Sequence, residues 1–276
     1  MTHQHLRIGS VPYLNAAPLV HFLDGALDAT NIDASVSIQR SPPSQLSEAL
    51  QRGELDIALM PVIDYLRGSG VYILPDISIS CVGSVGSVLL FHQKPLESLS
   101  RVGLTTASRS SVALLKVLLK ERWCVDARFE PLPVVPDAIP DDLDAMLLIG
   151  DDALTARKRV PADICDLGNV WHEWTGLPFV FAAWIVGDTG DAESLYSLLI
   201  ASKEEGVNRL QEVIDAHVNV AGMTADEVAY YFTHNVNFDL GEEHIRGILR
   251  FQTLCHRCGI LHGSTRGLTF WDPSAI

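Results

Sequence analysis

The chain has 276 residues, 47% hydrophobic and 20% charged, with 34 acidic against 20 basic side chains and a formal net charge of -14. That apolar content excludes a disordered chain and suffices for one large ordered domain or two modest ones. The acidic balance excludes a broad nucleic-acid-binding face, which needs clustered Lys and Arg. Any anionic ligand must be held by local donors rather than by the overall field.

Arg7–Val11 reads as a short strand running into the loop Pro12–Pro18, and a helix follows over Leu19–Leu23. Ala34–Gln39 alternates like a strand. Ser41-Pro42-Pro43-Ser44 opens a helix, since proline suits a first turn, and Gly53 ends it. Asp56–Met60 is a compact apolar strand, and Pro61 begins another helix. Strand and helix in alternation predict a parallel sheet with helices on its faces. Val71–Leu74, Ile77–Cys81 and Ser87–Phe91 then read as strands without long helices between them. This change of pattern places the first crossing between lobes near His92–Pro95.

A second α/β series begins at Arg101–Thr105. The helix Ser108–Arg122 carries Val112, Leu115, Leu118 and Leu119 at helical spacing. Arg128–Leu132 and Ala145–Ile149 are strands flanking a proline-rich loop, and Asp151 and Asp152 open the next helix. Phe179–Val186 is apolar and long enough to cross back. The rest reads as helical: Ala192–Val218, Thr224–Phe232 behind a Thr224/Glu227 capping box, and Glu242–Cys258 stopped by Gly259. The expected fold is α/β and two-lobed, with residues 1–92 plus 184–276 in the first lobe and 93–183 in the second. Its ligand cleft lies where the carboxyl ends of the strands face each other.

No apolar run reaches the ~18 residues of a membrane helix, and Pro12, Asn15 and Pro18 interrupt the N-terminal stretch Met1–Gly25 that a signal peptide would occupy. The expectation is a soluble, cytoplasmic protein with no membrane or nucleic-acid partner. The five scattered cysteines suit reduced thiols. Cys255-x-x-Cys258, with His256 and His262 nearby, lacks the second ligand pair that zinc requires, so no metal is expected.

Chemistry can gather at five places. The first loop offers Tyr13 and Asn15, and Asn15 can fix a hydroxyl or carboxylate or bond its own backbone. Thr105-Thr106-Ala107-Ser108-Arg109-Ser110-Ser111 runs into a helix. Free N–H groups, the dipole and the side chains of Thr106, Ser108, Arg109, Ser110 and Ser111 there suit a carboxylate or phosphate. Arg109 has the alternative of pairing with an acid. Gly83-Ser84-Val85-Gly86-Ser87 allows close ligand approach, or is a bulge, and brings Ser84 and Ser87. Gly150, Asp151 and Asp152 follow a buried strand. One aspartate reads as an N-cap, and the other could bind a hydroxyl or act as a base. His172 and Glu173 resemble acid–base partners, but helix neighbours diverge, so Trp171 and Trp174 read as packing. No Ser-His-Asp order, H-E-x-x-H or nucleotide motif occurs.

Taken together, "RIGSVPYLNAAPL", "GELDIALMPVIDYLR", "GSVGSVLLF", "SRSSVALLKVLL", "LLIGDDAL" and "WHEWTGLPFVFAAW" resemble the chorismate dehydratase family of the futalosine route to menaquinone, from Arg7 to Trp184. The resemblance implies a fold like the type II periplasmic binding proteins. It also implies conversion of chorismate to 3-[(1-carboxyvinyl)oxy]benzoate and water, without a cofactor. The family's loop asparagine falls on Asn15 and its pocket serine on Ser87, which are the implied catalytic residues. Its serine–arginine helix start falls on Ser108 and Arg109, and Ser110 stands where threonine is common. A single aspartate is usual where Asp151 is followed here by Asp152. Tyr13, Ser84, Thr106, Ser111, Gly150 and Asp151 complete the expected substrate contacts. Two other readings stay open: a cytoplasmic binding protein or sensor for a small carboxylate, and dihydroxynaphthoate synthase of the same route.

Overall fold

The structure, a computed structural model, describes residues 4–30, 32–188 and 191–273. The outermost residues of the expected first lobe, 1–3 and 274–276, lie outside the described residues. The chain opens with β1 (Gln4–Ser10), α1 (Ala17–Val20), α2 (Leu23–Thr30), β2 (Ala34–Arg40), α3 (Pro43–Gln51), β3 (Ile57–Pro61), α4 (Val62–Leu66) and β4 (Tyr72–Cys81). It continues through β5 (Val88–His92), β6 (Arg101–Thr105), α5 (Arg109–Val117, extended by a π turn to Arg122), β7 (Arg128–Leu132), β8 (Ala145–Ile149), α6 (Gly150–Ala156), β9 (Asp163–Asp166) and α7 (Leu167–Thr175). Strand β10 (Phe179–Val186) returns, and α8 (Ala192–Asn208), α9 (Leu210–Ala216), α10 (Ala225–Tyr230) and α11 (Glu242–Arg257) follow.

The strands form two five-stranded sheets, ordered β2-β1-β3-β10-β4 and β7-β6-β8-β5-β9. In each, the first strand of a parallel series lies between its two successors: β1 between β2 and β3, and β6 between β7 and β8. An antiparallel strand then fills the fourth place, β10 in one sheet and β5 in the other. This is the expected two-lobed α/β fold.

The crossings lie elsewhere than expected. Val88–His92 pairs with β8 and β9 along its length, so the chain has already left the first sheet within the segment after Cys81, not at His92–Pro95. Phe179 already pairs with Cys81 in the first sheet, so Phe179–Ala183 belongs with that sheet and not with the second lobe. The physical reason is common to both: each crossing strand is apolar on both faces because it is inserted inside a sheet. Val71–Leu74 and Ile77–Cys81 are one strand that passes through Asp76 at φ 65. The helix expected over Ala192–Val218 breaks at Arg209, whose guanidinium lies 4.2 Å from the Phe22 ring centre.

Period-2 geometry divides the core of the second sheet. Leu89, Phe91, Met146 and Leu148 enter a small cluster on one face, whereas Val88, Leu90, Leu147 and Ile149 join the large core shared with the first lobe. Trp171 closes the return crossing. It is fully buried, donates from Nε1 to the Pro178 carbonyl at 3.1 Å, and meets Phe179 and Phe251 edge-on.

Helix α8 lies against α1, with Ser202 Oγ donating to the Leu19 carbonyl at 2.8 Å. A Cβ on Gly206 would stand 1.9 Å from the Pro18 carbonyl oxygen. That oxygen is backbone and cannot swing aside. Gly206→Ala is therefore expected to lower stability by roughly 1–3 kcal/mol, the cost of overpacking. Urea unfolding checks this, and an unchanged midpoint would contradict the packing described.

Candidate active site

The first sheet's strand ends and the second lobe's helix starts face each other across a narrow slot. Asn15 and Tyr13 line it from the first loop, and Ser87, Ser108, Ser111 and Gly150 line it from the other side. Val11, Ile79, Phe181 and Val236 supply apolar walls. Among the described residues, no charged side chain lines it. Its free volume is about 50 Å³, against roughly 300–1,000 Å³ for ordinary small-molecule pockets, so the lobes stand closed on each other.

Asn15 sits in a single 3₁₀ turn, Leu14–Ala16, entered from Tyr13 in extended conformation. Its Oδ1 is buried and has no hydrogen-bond partner among the described residues. A buried polar atom without a partner is costly unless something else supplies one. The Tyr13 phenol is pushed above its ordinary pKa by burial, with Asp152 and Asp151 adding to the effect, so it stays a neutral donor. Gly150 makes room for the Tyr13 ring: it adopts φ +57, and a Cβ there would lie 3.3 Å from the ring.

On the opposite wall, Ser108 is the N-cap of α5. Its Oγ accepts from the Ser111 backbone N–H at 3.2 Å and donates to Ser111 Oγ at 3.0 Å. The capping role and the slot-facing position therefore coincide in one serine. The next residues point elsewhere. Ser110 Oγ accepts from the Ile63 N–H at 3.3 Å, so it ties α5 to the first turn of α4 in the other lobe. Arg109 pairs at 3.1 Å with Asp64, a buried carboxyl that desolvation pushes above its usual range while Arg109 and Arg67 oppose the shift. Thr106 is exposed and lies outside the slot. These three residues had been expected among the substrate contacts. The helix turn that points Ser108 and Ser111 inward turns Arg109 and Ser110 away, and Thr106 lies before the helix begins.

Ser84 also has another partner. Asp166, the N-cap of α7, accepts from Ser84 Oγ at 2.6 Å, from the Val85 and Gly86 N–H groups at 3.1 and 2.7 Å, and from the Asn169 N–H at 3.1 Å. One carboxylate thus fixes the whole crossing loop that delivers Ser87. Ser87 itself is buried, with its Oγ 2.8 Å from the hydroxyl of Tyr231. Its carbonyl accepts from the Gly150 N–H at 2.8 Å. Tyr231 comes from the helical tail and carries no motif, so the sequence offered no signal for it.

Asp151 does not enter the slot. Its Oδ1 accepts from the Leu14 N–H at 3.1 Å, behind the Asn15 turn. Burial raises its pKa, the Leu14 hydrogen bond opposes this, and Asp152 adds to the rise. Asp151 is thereby a cross-cleft tie from α6 to the loop that carries Asn15. Asp152 is exposed. His172 Nδ1 faces the Leu177 carbonyl at 3.3 Å, away from the slot. Among the described residues no group of three or more His, Cys, Asp or Glu is placed to hold a metal, and Cys258 instead donates to Glu121 Oε1 at 3.8 Å. No helix among them is long and apolar enough to cross a membrane.

Replacing Asp166 by alanine removes the acceptor for all four donors. The expected loss is about 2 kcal/mol, since the part-buried Val85, Gly86 and Asn169 N–H groups are expensive to leave unpaired. Thermal unfolding of Asp166→Ala checks this, and an unshifted transition would show that the carboxylate does not hold the crossing loop.

A family model described as menaquinone biosynthesis matches residues 6–257. A chorismate dehydratase of Thermus thermophilus is 33% identical, covering 88% of this chain and 93% of its own. A second, from Campylobacter jejuni, is 23% identical over 90% of this chain and 96% of its own. A 1,4-dihydroxy-6-naphthoate synthase of Thermus thermophilus is 24% identical over 65% of this chain and 69% of its own. Among solved structures, an Archaeoglobus fulgidus protein superposes with a TM-score of 0.74 at 17% identity, covering 94% of this chain and 99% of its own. The periplasmic aliphatic sulphonate binding protein of Escherichia coli superposes with a TM-score of 0.68 at 14% identity, covering 98% and 94%. The fold is that of the periplasmic binding proteins, and the sequence match is stronger and more specific: the chain belongs to the menaquinone biosynthesis family.

Proposed function

We propose that this protein is a chorismate dehydratase, a hydro-lyase that converts chorismate to 3-[(1-carboxyvinyl)oxy]benzoate and water. The observation that carries the reading is an uncharged slot that gathers Asn15, Ser87, Ser108 and Ser111, with the buried Asn15 Oδ1 lacking a partner among the described residues. The Thermus dehydratase match supports it with its 33% identity over 93% of that enzyme, whereas the synthase match covers 69% at 24%.

The substrate carries two carboxylates and a ring hydroxyl. With no cation lining the slot, a carboxylate is held by the free N–H groups and dipole of α5 and by Ser108 and Ser111. Asn15 and Ser87 orient the second carboxylate or the departing hydroxyl. The closed volume of about 50 Å³ requires the lobes to part for entry. Reclosure removes water and strengthens each of these hydrogen bonds.

In the reaction a ring C–H bond gives its electron pair to the ring as the C–O bond breaks and takes its own pair with the oxygen. The released proton and hydroxide make the water, and the ring becomes aromatic. The product's aromaticity drives the step, so the protein's share is positioning and charge stabilisation. Among the described residues lining the slot there is no His, Asp, Glu or Lys. The substrate's own enolpyruvyl carboxylate is the base in this reading. A cytoplasmic location fits the five free thiols.

Incubation with chorismate tests the function directly: the aromatic product is expected to accumulate in its ultraviolet absorption. Tight binding without product would make the protein a carboxylate sensor instead. Asn15→Ala and Ser87→Ala are each expected to lower kcat/KM by about 10²-fold, the scale for removing one such polar contact. Undiminished turnover in either would remove that residue from the site. Asp151→Asn keeps an oxygen for the Leu14 N–H and is expected to retain turnover within about tenfold. Lost turnover with binding intact would transfer the role of base to Asp151.

A further inference from the structure

Ser87 is the one slot hydroxyl with a fully buried partner from a distant part of the chain. Tyr231 is 2% exposed and Ser87 is 1% exposed, and their oxygens stand 2.8 Å apart. Either oxygen could donate, and which one does decides what Ser87 can offer a ligand. Among the described residues the Tyr231 hydroxyl shows no other hydrogen bond than this one, and a buried phenol proton needs an acceptor. Among the described residues, Ser87 Oγ is the acceptor within reach. If Ser87 donated instead, the phenol proton would be left buried and unpaired.

We propose that Tyr231 is a positioning residue: by donating to Ser87 Oγ, it turns the Ser87 proton into the slot and makes Ser87 a one-way donor toward a carboxylate or departing hydroxyl oxygen. The proposal rests on the placement of Ser87 at the substrate site. A serine that accepts one hydrogen bond also becomes a better donor of the next, because chains of hydrogen bonds polarise one another. Burial raises the phenol's pKa well above its ordinary value, with Ser87 opposing and Asp151, Asp166 and Cys81 adding, so the group keeps its proton across the working pH range. Asn15 Oδ1 is a bare acceptor in the same slot. One fixed donor and one fixed acceptor suit an oxygen that must be recognised as a hydroxyl, which can donate to Asn15 while it accepts from Ser87.

The backbone supports this geometry. The Ser87 carbonyl is held by the Gly150 N–H, and Gly86 reaches φ +70, packed against the Asn235 side chain, which in turn donates to the Ser84 carbonyl at 3.1 Å. Asn235 closes the same turn that begins at Tyr231. The tail therefore grips the crossing loop at two points, one through the loop's backbone and one through the side-chain hydroxyl.

The test is a double-mutant cycle on chorismate turnover with Ser87→Ala, Tyr231→Phe and the pair. Tyr231→Phe keeps the ring and removes the proton. It is expected to lower kcat about tenfold with KM changed less than twofold, and to have no effect when added to Ser87→Ala. Equal kinetic damage from Tyr231→Phe in both backgrounds would overturn the proposal, since a packing defect acts whether or not Ser87 is present. Wild-type kcat in Tyr231→Phe would also overturn it. An undiminished Ser87→Ala enzyme is a different failure, because it removes Ser87 from the substrate site and takes the underlying reading with it.

Discussion

Each sheet is completed by a strand that arrives from the far side of the cleft. β5 sits between β8 and β9, and β10 sits between β3 and β4, both antiparallel to their neighbours. Because each is hydrogen-bonded on both edges, neither can leave without breaking two ladders. The connections between the lobes are thereby anchored at rigid points. Ser87 is the residue immediately before β5. The site depends on this arrangement, because the crossing that joins the lobes also delivers a ligand-facing hydroxyl.

The polar groups divide into those that face the slot and those that hold the facing groups in place. Asn15, Ser87, Ser108 and Ser111 face it. Asp166 fixes the loop before Ser87, Asp151 fixes the turn that carries Asn15, and Ser110 and Arg109 pin α5 to α4. Charges are confined to the second group. A carboxylate that entered the slot itself would repel an anionic substrate, and a cation there would be neutralised by it and would hinder release. A lining of hydroxyls, amides and helix N–H groups can recognise carboxylates and still let the product go.

Several of these ties run between lobes, including Asp151 to Leu14 and Ser110 to Ile63. Each such hydrogen bond contributes about 1 kcal/mol net, a scale on which lobes can part and close again. In a transport protein of this fold, closure serves to hold a ligand. Under the proposed dehydratase function, the same motion would exclude water around a substrate about to lose it. The fold is shared with a sulphonate-binding protein.

The sequence by itself determined the two α/β series, the strand ends that carry Asn15, Ser108 and Gly150, and the family motifs, because these rest on local periodicity, caps and short runs. It did not reveal β9, whose four residues Asp-Ile-Cys-Asp lack any strand pattern and pair only because β5 is already in place. The crossing positions were misplaced for the same reason: a run such as Val88–His92 is equally apolar in either sheet, and only its partners settle its membership. Among the serines of the 105–111 segment, composition could not separate those that face the slot from those that do not. The helix's rotation against α4 decided that. Tyr231 lies 144 residues from Ser87, and nothing local ties a tail tyrosine to a crossing-loop serine. That pairing, like the empty acceptor on Asn15, exists only once distant segments are packed together and the buried oxygens must find their partners.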